Sequence, residues 1–163
     1  VLAQVTRFRQ RARDLVQQVE VDTRAGQVRY QQQNVGEIEN RGWEAQASLA
    51  LAPWTATVAA TWTRSVVERV ADGYTGPLRV GDRMLEVPAR TLAGSLGWSR
   101  GPLRLTTSVQ RVADWVNYDY QSIYRVPAGT PLGSPRDWWI RYPGATRVDA
   151  MGTWTFAGRM VLE

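Results

Sequence analysis

The sequence predicts an all-β fold, an antiparallel up-and-down sheet of six to seven strands forming an incomplete transmembrane β-barrel segment. Three observations carry that reading. Apolar and polar residues alternate with a period of two over long segments, tight Gly/Pro turns alternate with long connections, and most aromatics carry a polar handle. The chain has 163 residues, enough for one domain, and residues 1–163 read as one partial barrel domain.

The alternation is clearest from Trp54. Trp54, Ala56, Val58, Ala60 and Trp62 fall on one parity, and Thr55, Thr57, Ala59, Thr61, Thr63 and Ser65 on the other. Successive strand side chains point to opposite faces, so one face is apolar and the other is lined mainly with hydroxyls. Eight residues at about 3.3 Å each, tilted by ~45°, cover most of a thin bilayer core. A Trp at each end of the run matches the two interfacial aromatic girdles of a membrane barrel. The same pattern recurs in Trp43, Ala45, Ala47, Leu49 and Leu51, and in Leu92, Gly94, Leu96 and Trp98. It recurs again in Leu103, Leu105, Thr107 and Val109, and in Val148, Ala150, Gly152, Trp154 and Phe156.

The connections come in two lengths. Ala52-Pro53, Gly101-Pro102 and Ala157-Gly158-Arg159 are tight turns, as Gly and Pro allow. Between them lie long connections over 71–89 and 113–144. Outer-membrane barrels have this asymmetry, with short periplasmic turns at one end and long extracellular loops at the other. It orients the chain: 54–70 runs outward, 91–100 returns, and 103–112 and 145–156 repeat the cycle. Nearer the start, 2–17 reads as an outward strand with Phe8 opposite Arg7, Arg9, Arg11 and Arg13, followed by a loop near 20–27 that turns at Gly26. The count is six strands and the start of a seventh at Met160.

Composition narrows the function. There are 8 Trp and 6 Tyr against 2 Phe, which suits side chains lying where apolar and wet environments meet. Cys and His are both absent, which removes disulfides, thiolate chemistry, the commonest general base and the commonest transition-metal ligand. All 20 basic residues are Arg, read first as a matter of base composition. The excess of +5 is compatible with anionic ligands or lipopolysaccharide. No run approaches the ~18 apolar residues of a transmembrane helix, and no signal peptide is visible, as expected for a piece from the middle of a longer secreted chain. The acidic residues lack calcium-loop spacing, and there is no phosphate-binding Gly loop or nucleophile elbow. No enzyme activity, metal or cofactor is expected.

Four stretches together resemble the TonB-dependent outer-membrane receptors. Asn34-Val35-Gly36-Glu37-Ile38-Glu39-Asn40-Arg41-Gly42-Trp43-Glu44 resembles the family's N-x-G-x-x-x-N-x-G-x-E strand opening. Phe8 through Arg13-Asp14-Leu15-Val16 resembles the preceding strand, Pro88-Ala89-Arg90-Thr91 matches the Pro-x-x-Thr of a later one, and Tyr142-Pro143-Gly144 through Asp149 resembles the Pro-Gly-Tyr-x-x-x-Asp opening near the family's end. The resemblance implies the C-terminal part of the barrel, with plug, TonB-contacting box and final strands outside these residues. It implies a bacterial outer-membrane location, TonB as partner of the intact protein, and uptake of a scarce nutrient such as a ferric siderophore or cobalamin.

Two groups of residues are candidates for ligand contact. The longest loop carries Trp115, Tyr118, Tyr120, Tyr124 and Trp138, and recognition tends to reside in loops on a rigid scaffold. The competing reading has Trp138, Trp139 and Tyr142 extending the outer girdle while the rest packs loop on loop. Arg7, Arg9 and Arg11 form the second group, since guanidinium forks suit carboxylates and phosphates. Against that stands a solvated, salt-bridged lumen wall, because wide barrels have polar interiors. Nucleic acid is not an expected partner: Asp114, Asp119 and Asp137 balance Arg125, Arg136 and Arg141. Outer-membrane lipid and lipopolysaccharide are. Two alternatives stay open, a passive porin-like channel and a soluble carbohydrate-binding β-sandwich.

Overall fold

The computed structural model describes residues 1–24, 27–127, 129–156 and 160–162. Its strands are β1 (Leu2–Arg13), β2 (Val16–Arg24), β3 (Gln27–Asn34), β4 (Gly36–Leu51), β5 (Trp54–Val70), β6 (Arg90–Arg100), β7 (Leu103–Val112), β8 (Trp115–Tyr118), β9 (Trp139–Tyr142), β10 (Ala145–Phe156) and β11 (Met160–Leu162). Seven of them form one sheet in the order β1-β4-β5-β6-β7-β10-β11, every pair antiparallel. That is an up-and-down meander. Among the described residues the helices are one turn of α-helix, Tyr120–Ile123, and one 3-10 turn, Pro135–Trp138. The turns expected at Gly26 and at 157–159 lie outside the described residues.

The register aligns the apolar parities of neighbouring strands. Trp43 pairs with Trp62, Ala47 with Val58 and Leu51 with Trp54. Trp54 in turn pairs with Trp98, Ala56 with Leu96 and Ala60 with Leu92, and Trp98 with Leu105. One face therefore carries a continuous apolar band from the Trp54–Trp98 contact, centroids 6.5 Å apart, to the Trp43/Trp62 pair. Along the strand those limits stand about 26 Å apart. The opposite face carries hydroxyls, such as Thr57 and Ser95, which share a 2.7 Å hydrogen bond.

Among the described residues no second layer covers the band. Trp54, Val58, Trp62, Leu96 and Leu105 are 44–50% exposed; Leu49 and Leu51 are exposed as well. The chain presents 11844 Å² of surface, against roughly 8,100 Å² for a folded soluble monomer of this size. A β-sandwich would enclose Trp54, Val58 and Trp62 between two sheets, so the carbohydrate-binding sandwich is overturned. Its buried apolar residues instead gather at the long-connection end, where Val35, Val67 and Leu78 pack with Val70, Tyr74, Met84 and Trp139.

Two connections differ from the sequence reading. The expected strand over 2–17 ends at Arg13, because Asp14 takes a left-handed conformation (φ 54°), which a short polar side chain tolerates. Beyond this joint β2 and β3 form a hairpin, where a loop was expected, that keeps the pairing frame of β1 and β4. Likewise β8 and β9 prolong the β7/β10 pair, with Trp115 opposite Tyr142.

Candidate functional site: the packed loops at one end of the sheet

The long connections converge on one end, and each is pinned by a short polar motif. At the β1/β4 joint, Asn34 accepts a 2.8 Å hydrogen bond from the Gly36 N–H and donates one of 2.8 Å to Asp14. Gly36 has φ 121°, and a Cβ there would run into the Arg69 carbonyl, so the Asn-x-Gly spacing is what the kink needs. Gln33 above the joint accepts from the Thr75 N–H at 2.9 Å. This ties the first hairpin to the 71–89 connection.

That connection folds back along the upper half of β5. The Val67 N–H donates to the Asp82 carbonyl and the Met84 N–H to the Ser65 carbonyl, at 2.9 and 3.1 Å. Arg136 then clamps it from the third connection. Its guanidinium forks onto both Asp82 oxygens, donates to the Pro77 carbonyl at 2.7 Å and lies 4.4 Å above the Trp139 ring. The Arg136 hydrogen bond holds the Asp82 carboxyl below its ordinary pKa, against the opposing effect of burial. A second clamp joins Arg141 to Asp114 at 2.7 Å, with Arg83 at 3.7 Å, and Arg141 lowers the Asp114 pKa. Asn117 donates to Glu86 at 2.9 Å, and the Glu86 N–H donates to the Val116 carbonyl at 2.9 Å.

The loop aromatics divide into anchors and exposed groups. Trp115 stacks on Tyr142 at 5.6 Å and 7°. Tyr118 meets Trp139 edge-on at 6.3 Å and Tyr120 at 5.8 Å, and the Tyr142 hydroxyl donates to the Tyr118 carbonyl. Trp138 donates its indole N–H to the Leu132 carbonyl at 2.6 Å. Trp138, Trp139 and Tyr142 thus all take partners among the loops. Tyr120, 45% exposed, and Tyr124, 83% exposed, present free surface. Asp119 caps the intervening helical turn through the Ser122 N–H at 3.1 Å.

The arginine ladder sits elsewhere, on the far edge strand. Arg7 pairs with Trp43, Arg9 with Arg41 and Arg11 with Glu39, so the ladder shares the face of the Trp band. The expectation of a polar, lumen-type face for Arg7, Arg9 and Arg11 is corrected by this register. Their polar neighbour is Glu39, 3% exposed, which takes Arg9 at 2.6 Å, Arg11 at 3.2 Å and Arg41 at 3.6 Å. Sequence reasoning passed over Glu39, Asp82 and Arg136, because each acquires its role from a partner 28–54 residues away. Among the described residues no group of three or more Asp or Glu is placed to hold a metal.

Short turns at one end, interlocked loops at the other and an uncovered apolar band define a segment of transmembrane β-barrel wall. More narrowly, the chain belongs to the TonB-dependent receptor-like β-barrel family, a family of outer-membrane proteins, whose model matches residues 1–162. Among solved structures it is similar to the FrpB iron transporter from Neisseria meningitidis (F3-3 variant), with a TM-score of 0.57 and 19% identity. The match covers 96% of this chain and 22% of that transporter. No curated protein matches the sequence.

Proposed function

We propose that this chain is wall and extracellular loop of a TonB-dependent receptor that imports a scarce nutrient, such as a ferric siderophore or cobalamin, across the bacterial outer membrane. The observation that carries the reading is the uncovered apolar band, closed by Trp at both ends, on a meander whose long loops all lie at one end. On this reading the band faces lipid, the hydroxyl face lines the lumen, and TonB engages the intact protein through regions outside these residues. Both sheet edges, β1 and β11, need neighbours in lipid, because unpaired backbone groups there are costly. The segment therefore works only within a closed barrel. The FrpB similarity favours iron as the transported element and a transporter, not an enzyme.

Ligand contact falls to the exposed aromatics Tyr120 and Tyr124, held out by a loop that Trp115, Tyr118 and Trp138 stiffen. Uptake of labelled ferric chelates and cobalamin by cells with and without the intact gene tests the proposal. TonB-dependent uptake of at least one compound that vanishes on deletion is expected. Uptake that persists without TonB would favour a passive channel, and no uptake difference across the panel would sink the transport reading.

A further inference from the structure

We propose that the rim of the Trp face is a docking site for the phosphorylated headgroup of an outer-leaflet lipid, an inference that rests on that face being the lipid-facing one. Cross-strand pairing puts Arg9, Arg41 and Arg64 side by side in one row across β1, β4 and β5. The next row reads Arg7, Trp43, Trp62, Arg90. Strands stand about 4.8 Å apart and same-face rows about 6.7 Å apart, so the five guanidinium groups crowd one patch, where they line a hollow of about 600 Å³.

Like charges directly opposite one another destabilise a sheet, and a guanidinium cannot escape by losing its proton. Glu39 offsets part of the charge by binding Arg9 and Arg41. Among the described residues no carboxylate pairs with Arg7, Arg64 or Arg90, and Arg7 instead lies 5.6 Å from the Trp43 ring centroid. Five cations thus face one carboxylate. A phosphate monoester complements this arrangement, since its oxygens accept bidentate hydrogen bonds from guanidinium forks.

Position selects a lipid over a soluble anion. The arginine rows begin where the apolar band ends, and Ala45/Ala60 and Ala47/Val58 continue directly below Trp43 and Trp62. A phosphate seated on the rim would bring its acyl chains onto this strip and over Trp43 and Trp62, which are 47% and 46% exposed. A free phosphate would leave both indoles uncovered. The other face at the same level is lined by Phe8, Ile38, Thr63, Ser65 and Met84 and offers an anion no comparable charge.

The test uses the intact receptor purified in detergent, with bisphosphorylated lipid A, its fully dephosphorylated form and inorganic phosphate as probes, read by native mass spectrometry and titration. Lipid A is expected to bind in preference to its dephosphorylated form by about tenfold or more, the order of one charged hydrogen bond lost. Inorganic phosphate at equal concentration should not displace it. R41Q/R64Q should weaken binding at least about tenfold, R41K/R64K should retain part of it, and R104Q, on the opposite face, should change nothing. Heat-dependent gel mobility verifies folding, and R90Q replaces the double variant if that fails to fold. Wild-type binding by R41Q/R64Q, equal binding of the dephosphorylated lipid, or displacement by inorganic phosphate would overturn the proposal. Nutrient uptake measured on the same variants separates the two readings: uptake without lipid binding sinks only this site, and lipid binding without uptake sinks only the transport reading.

Discussion

Reversing one side chain across the pleat gives the sharpest mutational contrast. Val58 sits on the Trp face between Ala47 and Gly94, four residues from each of Trp54 and Trp62. That is about 13 Å along the strand in either direction, too far for an arginine to snorkel to either rim. In the intact receptor, Val58→Arg should cost about 2–4 kcal/mol, the range for a cation at mid-depth on a barrel's lipid face. Thr57 points the other way and shares a hydrogen bond with Ser95. Thr57→Arg gives up that exposed bond, about 0.5–1.5 kcal/mol at most, and puts its charge in a wet lumen. The positions are adjacent, so strand propensity and backbone effects largely cancel. Folding into lipid vesicles followed by equilibrium urea titration measures both. Equal costs, or a larger penalty at Thr57, would refute the assignment of faces.

Other expectations follow from the loop clamps and the joint. Asp82→Asn removes the anion that Arg136 grips, so amide exchange over 71–89 should rise by an amount equivalent to about 1–3 kcal/mol of local stability. The native Asp82 pKa is depressed; its contribution is therefore fully present above the unfolded carboxylate value and lost as pH falls through the lower folded value. The protection factor over 71–89, exchange corrected for its intrinsic pH dependence, should stay flat from pH 8 to about 5 and fall only in stronger acid. A fall between pH 7 and 6 would contradict the assignment. Gly36→Ala forces a Cβ into a positive-φ position against the Arg69 carbonyl, and should cost about 1–3 kcal/mol in the urea titration. A neutral result would mean the joint is not built as described.

The alternation predicts strands over 54–70, 103–112 and 145–156, and β5, β7 and β10 have those bounds. They were legible because one face needs apolar side chains at every second position, which leaves a local mark. The β2/β3 hairpin was not, because 16–34 is largely polar, with only scattered apolar residues such as Val16, Val19 and Tyr30, and a period of two then has little to show. Strands β8 and β9 are four residues each and meet across a 20-residue excursion, so their pairing is non-local. The face of the arginine ladder was misread for a related reason. Odd positions of β1 run Ala3, Val5, Arg7, Arg9, changing from apolar to charged where the strand leaves the band, and only the register Arg7↔Trp43 reveals which face they share. The loop aromatics were legible as a group, but their division into anchors and exposed residues depends on partners such as Leu132 and Arg136.

The central claim is that the Trp face meets lipid. This segment contains no Cys, so single cysteines placed at positions 54 through 62 of an intact receptor freed of any other Cys report one site each. Labelled with an environment-sensitive fluorophore in reconstituted membranes, they can be quenched from the acyl phase by nitroxide lipids or from water by iodide. The account predicts a strict period of two: lipid-phase quenching at the positions of Trp54, Ala56, Val58, Ala60 and Trp62, and aqueous quenching at Thr55, Thr57, Ala59 and Thr61. Uniform quenching along the strand, or the reverse parity, would contradict it.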